Sequence, residues 1–189
     1  MESLVGTRLV LSKPGLMCVY AAFTNSKVLL CAVENNFADL LSAGPLTVSE
    51  LAAKAGCDER STGQIVNYLI GMGIFAQDLA DRRVSNNMVS DLLCSDHWTQ
   101  WRSWASFFPN EYYDLLNHLP AALKSDQKRS ATALYYDTDK PIYQFLAETG
   151  RAAPWHKAIG AFTLAEMPYM IADYPCKSDS LLFNFNQGD

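Results

Sequence analysis

Three histidines and five cysteines are the side chains with the clearest chemical potential in this chain. His97, His118 and His156 lie far apart and lack the short spacing of a metal-binding cluster. The cysteines are odd in number and form no CxxC pair, which favours free thiols in a reducing compartment over a disulfide framework. No nucleophile elbow, HExxH or phosphate-loop motif is present. We therefore expect a cytoplasmic protein without a metal site.

An apolar stripe on a predicted helix from Pro154 to Met170 is a second feature with chemical potential. Trp155, Ile159 and Phe162 recur at i, i+4 and i+7 and project from one face, and Met167 continues that side. Aromatic and methionine side chains give an apolar ligand a large and adaptable contact area. The stripe is therefore either core packing or one wall of a cavity for a flat ligand.

The elements that would position these residues centre on the segment from Leu46 to Phe75, which has the pattern of a helix-turn-helix. Thr47 and Glu50 have the spacing of a capping box at the start of a first helix. Asp58 is placed to cap a second helix, and Gly73 can end it in the left-handed conformation. Both helices therefore carry their own start and stop signals.

Short extended segments on either side of the polar turn Asp78–Arg82 predict a hairpin, which makes this unit a winged helix. Between Thr47 and Ser90 the unit has four basic residues against five acidic ones. DNA binding depends on cations that neutralise phosphates, so this balance disfavours a DNA-binding regulator. The net charge of -5 disfavours nucleic acid and anionic membrane as main partners, and no apolar run is long enough to span a bilayer.

The segment from Leu16 to Leu41 is predicted to be mostly helical, with apolar residues on more than one face. Such a helix is either the centre of a core or part of a dimer interface. A short helix is expected from Asn86 to Leu93. The aromatic-rich segment His97–Phe108 follows, and its rings are either core residues or partly exposed to a cavity.

The next predicted helix runs from Glu111 to Lys124, and Pro120 is expected to kink it or to begin a new segment. Its expected buried stripe consists of Leu115, Leu116, Leu119 and Leu123. A polar loop, Ser125–Ser130, precedes a further predicted helix from Pro141 to Thr149.

This order of elements resembles the N-terminal dimerisation region of the plant and fungal type of S-adenosylmethionine-dependent O-methyltransferases. The matching segments are Leu46–Ala55, Ile65–Phe75, Tyr113–Leu123 and Phe185–Asp189. The resemblance implies a mainly α fold, a helical dimerisation domain that contains a winged helix, and no Rossmann domain in this chain. It divides the chain into an N-terminal arm (1–14), dimerisation helices with the winged helix (15–95), a helical substrate-lid region (96–180) and a linker (181–189).

The resemblance also implies partners and a site. The expected partners are a second copy, bound through Leu16–Leu41, and a small-molecule substrate. The residues expected to contact the substrate are Tyr113, Leu119, Trp155, Ile159, Phe162 and Met167. The helix that carries His118 would lie against the substrate cavity, where an imidazole can act as a general base or hydrogen-bond donor. The alternative is a surface histidine, or one whose hydrogen bonds are satisfied within the protein.

In the resembling enzymes, a segment like Phe185–Asp189 leads into a Rossmann-like domain that binds the cofactor. The sequence stops at Asp189, so we expect this chain to bind no cofactor, with S-adenosylmethionine implied for the missing domain. The chain is then a fragment, a naturally short product, or one half of a split enzyme that pairs with a separate cofactor-binding domain; we expect a fragment.

The predicted function is the dimerisation and substrate-lid portion of an O-methyltransferase-like enzyme of secondary metabolism that acts on an aromatic or polyketide-type molecule. One alternative is a methyltransferase-like scaffold that catalyses dehydration or pericyclic cyclisation. Another is a stand-alone dimerising interaction module.

Overall fold

The computed structural model describes residues 13–124, 126 and 128–173, and the side chains of residues 21–124, 126 and 128–167. This part of the chain is mainly helical, which confirms the predicted fold class. The α-helices are α1 (Lys13–Glu34), α2 (Phe37–Leu41), α3 (Val48–Ala55), α4 (Glu59–Gly71), α5 (Trp101–Phe107), α6 (Tyr113–Leu116), α7 (Leu119–Ala122), α8 (Ala131–Tyr135), α9 (Ile142–Glu148) and α10 (Ala152–Asp173). A 3-10 helix (Ser90–Leu93) precedes α5, and a π-helical turn (Phe108–Tyr112) joins α5 to α6.

The capping signals of the helix-turn-helix are formed as predicted. Glu50 donates its backbone N–H to the Thr47 hydroxyl over 3.2 Å, and the Glu50 carboxylate accepts from the Thr47 N–H over 2.7 Å. Gly56 ends α3 in the left-handed region with a φ of 67°. Asp58 caps α4 by accepting from the Ser61 N–H over 2.8 Å. Because these signals act over three or four residues, the local sequence determines both helices.

The predicted hairpin follows α4. Its strands, β1 (Ala76–Gln77) and β2 (Val84–Ser85), pair antiparallel, with Ala76 opposite Ser85. Leu46 adds a bridge to Val84 on the other edge. Val84 is fully buried, so the hairpin is fixed to the helix-turn-helix by its backbone and by its core contact.

The main core lies between α1, α2, the helix-turn-helix and the hairpin. Its buried side chains include Val33, Phe37, Leu51, Val66, Leu69 and Phe75. The predicted helical segment Leu16–Leu41 is interrupted after α1, where Asn36 takes a left-handed φ of 58°. The last turns of α1 are core, as Val33 shows, whereas Phe23 earlier in α1 is 51% exposed.

Arg102 of α5 binds groups at the break between α1 and α2. Its guanidinium forms an ion pair with Asp39 and also donates to the Val33 carbonyl oxygen, over 3.0 Å, and to the Asn36 side chain. Asp39 in addition accepts from the backbone N–H and the hydroxyl of Ser95. The planar guanidinium can address several acceptors at once, so a single side chain orients α5.

Two sequence predictions for the middle of the chain are wrong. The helix expected at Asn86–Leu93 is limited to the 3-10 turn, because the Asn87 side chain accepts from the Val89 and Ser90 N–H groups and competes with helical pairing. The single helix expected at Glu111–Lys124 is divided into the π-helical turn, α6 and α7. Pro120 lies in the first turn of α7, as the alternative of a new segment predicted.

That division also changes which leucines are buried. Only Leu115 of the predicted stripe is buried, whereas Leu116, Leu119 and Leu123 are 37%, 45% and 84% exposed. A break between α6 and α7 removes the common helical face on which the stripe depended.

The remaining predictions concern the ends of the chain and the last helices. Helix α8 was not predicted, α9 agrees with the expected helix, and α10 begins two residues before Pro154. Helix α1 already includes Lys13 and Pro14, so the predicted arm 1–14 is too long by two residues. The rest of the arm and the linker 181–189 lie outside the described residues.

Candidate functional site

Helix α10 packs along α5, and an aromatic stack joins the two helices. Ala158 and Ala161 are the fully buried positions of this part of α10, and their small side chains let the helices approach closely. The Phe162 ring stacks on Trp104 with centroids 4.7 Å apart, and Trp104 in turn stacks on Phe108 at 3.7 Å. Phe162 is nevertheless 41% exposed, so one side of its ring is covered and the other is open.

The N-terminal end of α10 is held differently. Trp155 makes an edge contact with Phe107 at 5.0 Å, and its indole N–H donates to the Tyr136 hydroxyl over 3.1 Å. That hydroxyl donates to the Glu111 carboxylate over 2.6 Å. Burial, and then the hydrogen bond to Glu111, raise the pKa of Tyr136 above its ordinary value of 10.0. The phenol therefore stays protonated and remains a donor to the carboxylate.

The structure brings together only some of the predicted substrate residues. Trp155, Ile159 and Phe162 follow one another along one face of α10. Met167, which is 42% exposed, comes five residues after Phe162 and lies about 140° further round the helix, off that face. Tyr113 instead contacts α1, where the Lys27 ammonium lies 4.6 Å from the centre of its ring. Leu119, expected beside the stripe, is in the exposed first turn of α7.

His118 immediately precedes α7 and is half-buried. Its ring lies 5.9 Å from the ring of Tyr135 in an edge contact. Among the described residues its ring contact is with α8 and not with α10, and no hydrogen bond orients its imidazole. Its role as a general base remains a prediction from the resemblance.

An apolar cavity of about 350 Å³ opens between α1, α5 and the 3-10 helix. Its walls are almost entirely apolar, and Ser26 is their one hydroxyl-bearing residue. The lining side chains include Leu29, Ile74, Leu92, Trp101, Trp104 and Phe108. None of the predicted substrate residues lines this cavity, although Trp104 connects it to Phe162. The aromatic segment His97–Phe108 thus supplies both core contacts and cavity wall.

Three potential metal ligands, Asp39, Cys94 and Asp96, have ligand atoms within 4.8 Å of one another. The Asp39 carboxylate already binds Arg102 and Ser95. Burial, followed by the nearby carboxylates, raises the pKa of the Cys94 thiol, which disfavours the thiolate that a metal requires. The Asp39 carboxylate therefore serves the contact between α2 and α5.

A GxGxxA pattern at Gly71–Ala76 leads from α4 into β1. A pyrophosphate-binding turn leads from a strand into a helix, so this pattern has the wrong context for a nucleotide cofactor. Within the described residues, no helix combines the length and hydropathy needed to cross a bilayer.

Sequence reasoning missed Glu111 and Tyr136, whose hydrogen bonds connect to Trp155. Tyr136 follows α8, which the sequence pattern does not predict, and Glu111 is only the first residue of a predicted helix. The two are 25 residues apart, and no local pattern indicates their contact.

Comparisons with known proteins agree with this fold. A family model of the O-methyltransferase dimerisation domain matches residues 17–96. O-methyltransferase hasC of Aspergillus fumigatus is 54% identical over 155 residues, a match that covers 82% of this chain and 36% of the relative. O-methyltransferase sirM of Leptosphaeria maculans is 39% identical, with 82% and 38% covered. The chain thus spans little more than a third of the length of these relatives.

Among solved structures, human N-acetylserotonin methyltransferase in complex with SAM has a similar fold. The TM-score is 0.72 at 17% identity, and the match covers 90% of this chain and 51% of the human one. At this identity the likeness concerns the fold.

Proposed function

Residues 17–96 belong to the O-methyltransferase dimerisation domain family, and from this premise we propose that the chain supplies the dimerisation and substrate-lid part of an O-methyltransferase-like enzyme. The acceptor of that enzyme is an aromatic or polyketide-type small molecule. S-adenosylmethionine is its methyl donor and binds outside the residues described above. Similarity to fungal O-methyltransferases over most of the chain supports the reaction class.

The open face of α10 is the observation that supports the lid. Phe162 is about two-fifths exposed, and it already has a stacked partner behind it. A ring that is supported on one side and open on the other is suited to clamping a flat acceptor, because the stack fixes its orientation before the ligand arrives. Trp155 and Ile159 continue this wall toward the start of α10.

The exposed part of α1 supports a homodimer. Phe23 is half exposed although its neighbours further along α1 enter the core. Stable homodimer interfaces bury on the order of 2,000 Å² and are more apolar than the rest of the surface. We propose that α1 and α2, within Leu16–Leu41, form part of this interface.

Sedimentation of paired variants tests the dimer. Phe23→Ser should shift the chain toward monomer at about micromolar concentration, because it places a hydroxyl in an apolar contact. Leu79→Ser is the matched control, since Leu79 is 86% exposed on the hairpin and lies outside the proposed interface. A wild-type monomer, or equal dissociation in both variants, would contradict the proposal.

Titration with β-naphthol, a flat aromatic alcohol, tests the lid. Phe162→Ala should weaken its binding by roughly fivefold or more, since the acceptor loses one face of contact. Leu164→Ala is the control, because Leu164 is similarly exposed on α10 and lies off the predicted stripe. Similar losses in the two variants would remove the lid assignment and leave the dimerisation role in place.

A further inference from the structure

The π-helical turn Phe108–Tyr112 is linked to two positions of the α10 stripe, in each case through one intermediate residue. At one position Phe108 stacks on Trp104, and Trp104 stacks on Phe162. At the other position Glu111 accepts from Tyr136, which in turn accepts from Trp155. A single turn of irregular helix therefore supports the stripe through an aromatic branch and through a polar branch. Such turns occur frequently at functional sites.

The polar branch has matched donors and acceptors. The indole N–H of Trp155 can only donate, and the Tyr136 hydroxyl accepts from it while donating its own proton to Glu111. Tyr136 is only 9% exposed, so water has little access to replace either bond. Removing the hydroxyl would leave the indole N–H without its partner in a part-buried position, which is costly.

These bonds also restrict rotation. A tryptophan side chain has two torsions, and Trp155 is held by the edge contact with Phe107 on one side and by the directional bond to Tyr136 on the other. Two contacts in different directions select one rotamer where packing alone would allow a flipped ring. The orientation of the indole is therefore set from outside α10.

We propose that Glu111 and Tyr136 are positioning residues that hold the Trp155 indole in one orientation. They thereby fix the shape of the α10 face that contacts the methyl-accepting substrate. This inference rests on the proposed lid function of α10. The raised pKa of Tyr136 agrees with it, because a phenol that stays protonated keeps donating to Glu111. The ligand class is a flat aromatic acceptor that packs against the Trp155 ring.

The indole N–H resonances of the four tryptophans test the orientation directly. Trp155→Phe identifies the resonance of Trp155 by its loss. In Tyr136→Phe we expect this resonance to move upfield and its exchange with water to become at least about tenfold faster, whereas the other three stay in place. Glu111→Gln, which keeps an acceptor oxygen for Tyr136, should retain the wild-type signal, and Glu111→Ala should not.

Tyr135→Phe is the matched control, since it removes a hydroxyl from the adjacent residue and no hydrogen bond joins Tyr135 to Trp155 in the described structure. An unchanged Trp155 resonance in Tyr136→Phe overturns the inference. Equal changes in the control, or shifts of all tryptophan resonances together, also overturn it, because they indicate general loosening of the core.

Titration with β-naphthol tests whether the orientation of the Trp155 indole affects ligand binding. Tyr136→Phe should weaken binding by about threefold to tenfold, as expected for one lost hydrogen bond, and Tyr135→Phe should not. If neither Trp155→Ala nor Phe162→Ala changes the affinity for β-naphthol, the proposed substrate-binding face of α10 is wrong. The indole N–H resonances then still decide whether Tyr136 orients the Trp155 ring. If those two variants weaken binding and Tyr136→Phe does not, the positioning role is wrong and the substrate-binding face stands.

Discussion

Replacement of Arg102 by methionine tests the contact that orients α5. The guanidinium donates to a carboxylate, a backbone carbonyl and a side-chain amide oxygen, all at the break between α1 and α2. Methionine keeps much of the aliphatic stem and removes every donor. The variant thus isolates the polar part of the contact.

The expected loss follows from these contacts. Each of the three hydrogen bonds has the charged guanidinium as its donor and so contributes about 1.5–3 kcal/mol, which gives an upper limit of about 9 kcal/mol. The Arg102 and Asp39 side chains are 24% and 28% exposed, and Asp39 keeps its bonds from Ser95. Water and Ser95 will therefore compensate in part, and we expect a loss of about 2–3 kcal/mol. For a chain of this size that lowers Tm by about 4–12 °C.

Urea unfolding measures this loss. All variants are compared at one protein concentration, because the apparent stability of a dimer depends on concentration. Arg83→Met is the matched control, because Arg83 is 38% exposed and pairs with Glu50 on the surface. We expect it to cost less than about 1 kcal/mol. A loss in Arg102→Met no larger than in this control would refute the argument. An altered urea slope would show that the compactness of the denatured or native state, or the two-state character of unfolding, had changed.

Two further predictions concern the capping box of α3. Thr47→Ala should cost about 1 kcal/mol of unfolding free energy, whereas Ser49→Ala on the same helix should be nearly neutral in urea unfolding. Hydrogen bonds from the Thr47 N–H and hydroxyl, and then the charge of Arg83, hold the pKa of Glu50 below its ordinary value of 4.5. The stability contributed by Glu50 is therefore present above about pH 4.5 and is lost as the pH falls through the lowered pKa. Glu50→Gln should show a smaller fall in Tm on acidification than wild type, and an identical fall would contradict the assignment.

The helix-turn-helix was predictable because its determinants are local. Thr47 and Glu50 are three residues apart, Asp58 caps the helix that follows it, and Gly56 and Gly73 both take positive φ values at helix ends. Each signal requires a specific side chain at a fixed offset, and each is formed in the structure. The local preferences of these residues and the final fold therefore agree, and tertiary contacts are not needed to place the ends of the two helices.

The region after α5 was less predictable because distant contacts decide it. Helix α8 did carry a local signal, since the Ser130 hydroxyl caps it by accepting from the Ala133 N–H over 3.2 Å, but the helix is only five residues long. Glu111 and Tyr136, or Arg102 and Asp39, meet across 25 and 63 residues. Hydrophobic periodicity contains no information about such pairs.

The two interpretations of the α10 stripe, core and cavity wall, are not exclusive. Phe162 packs on Trp104 and is still 41% exposed, so its truncation removes a stacked contact inside the protein and a face offered to a ligand. A stacked pair contributes about 0.5–1.5 kcal/mol beyond its buried area. Loss of stability in Phe162→Ala is therefore expected under either interpretation and cannot decide between them. Only ligand affinity measured on the folded fraction, relative to Leu164→Ala, separates a residue that supports α5 from one that also contacts the acceptor.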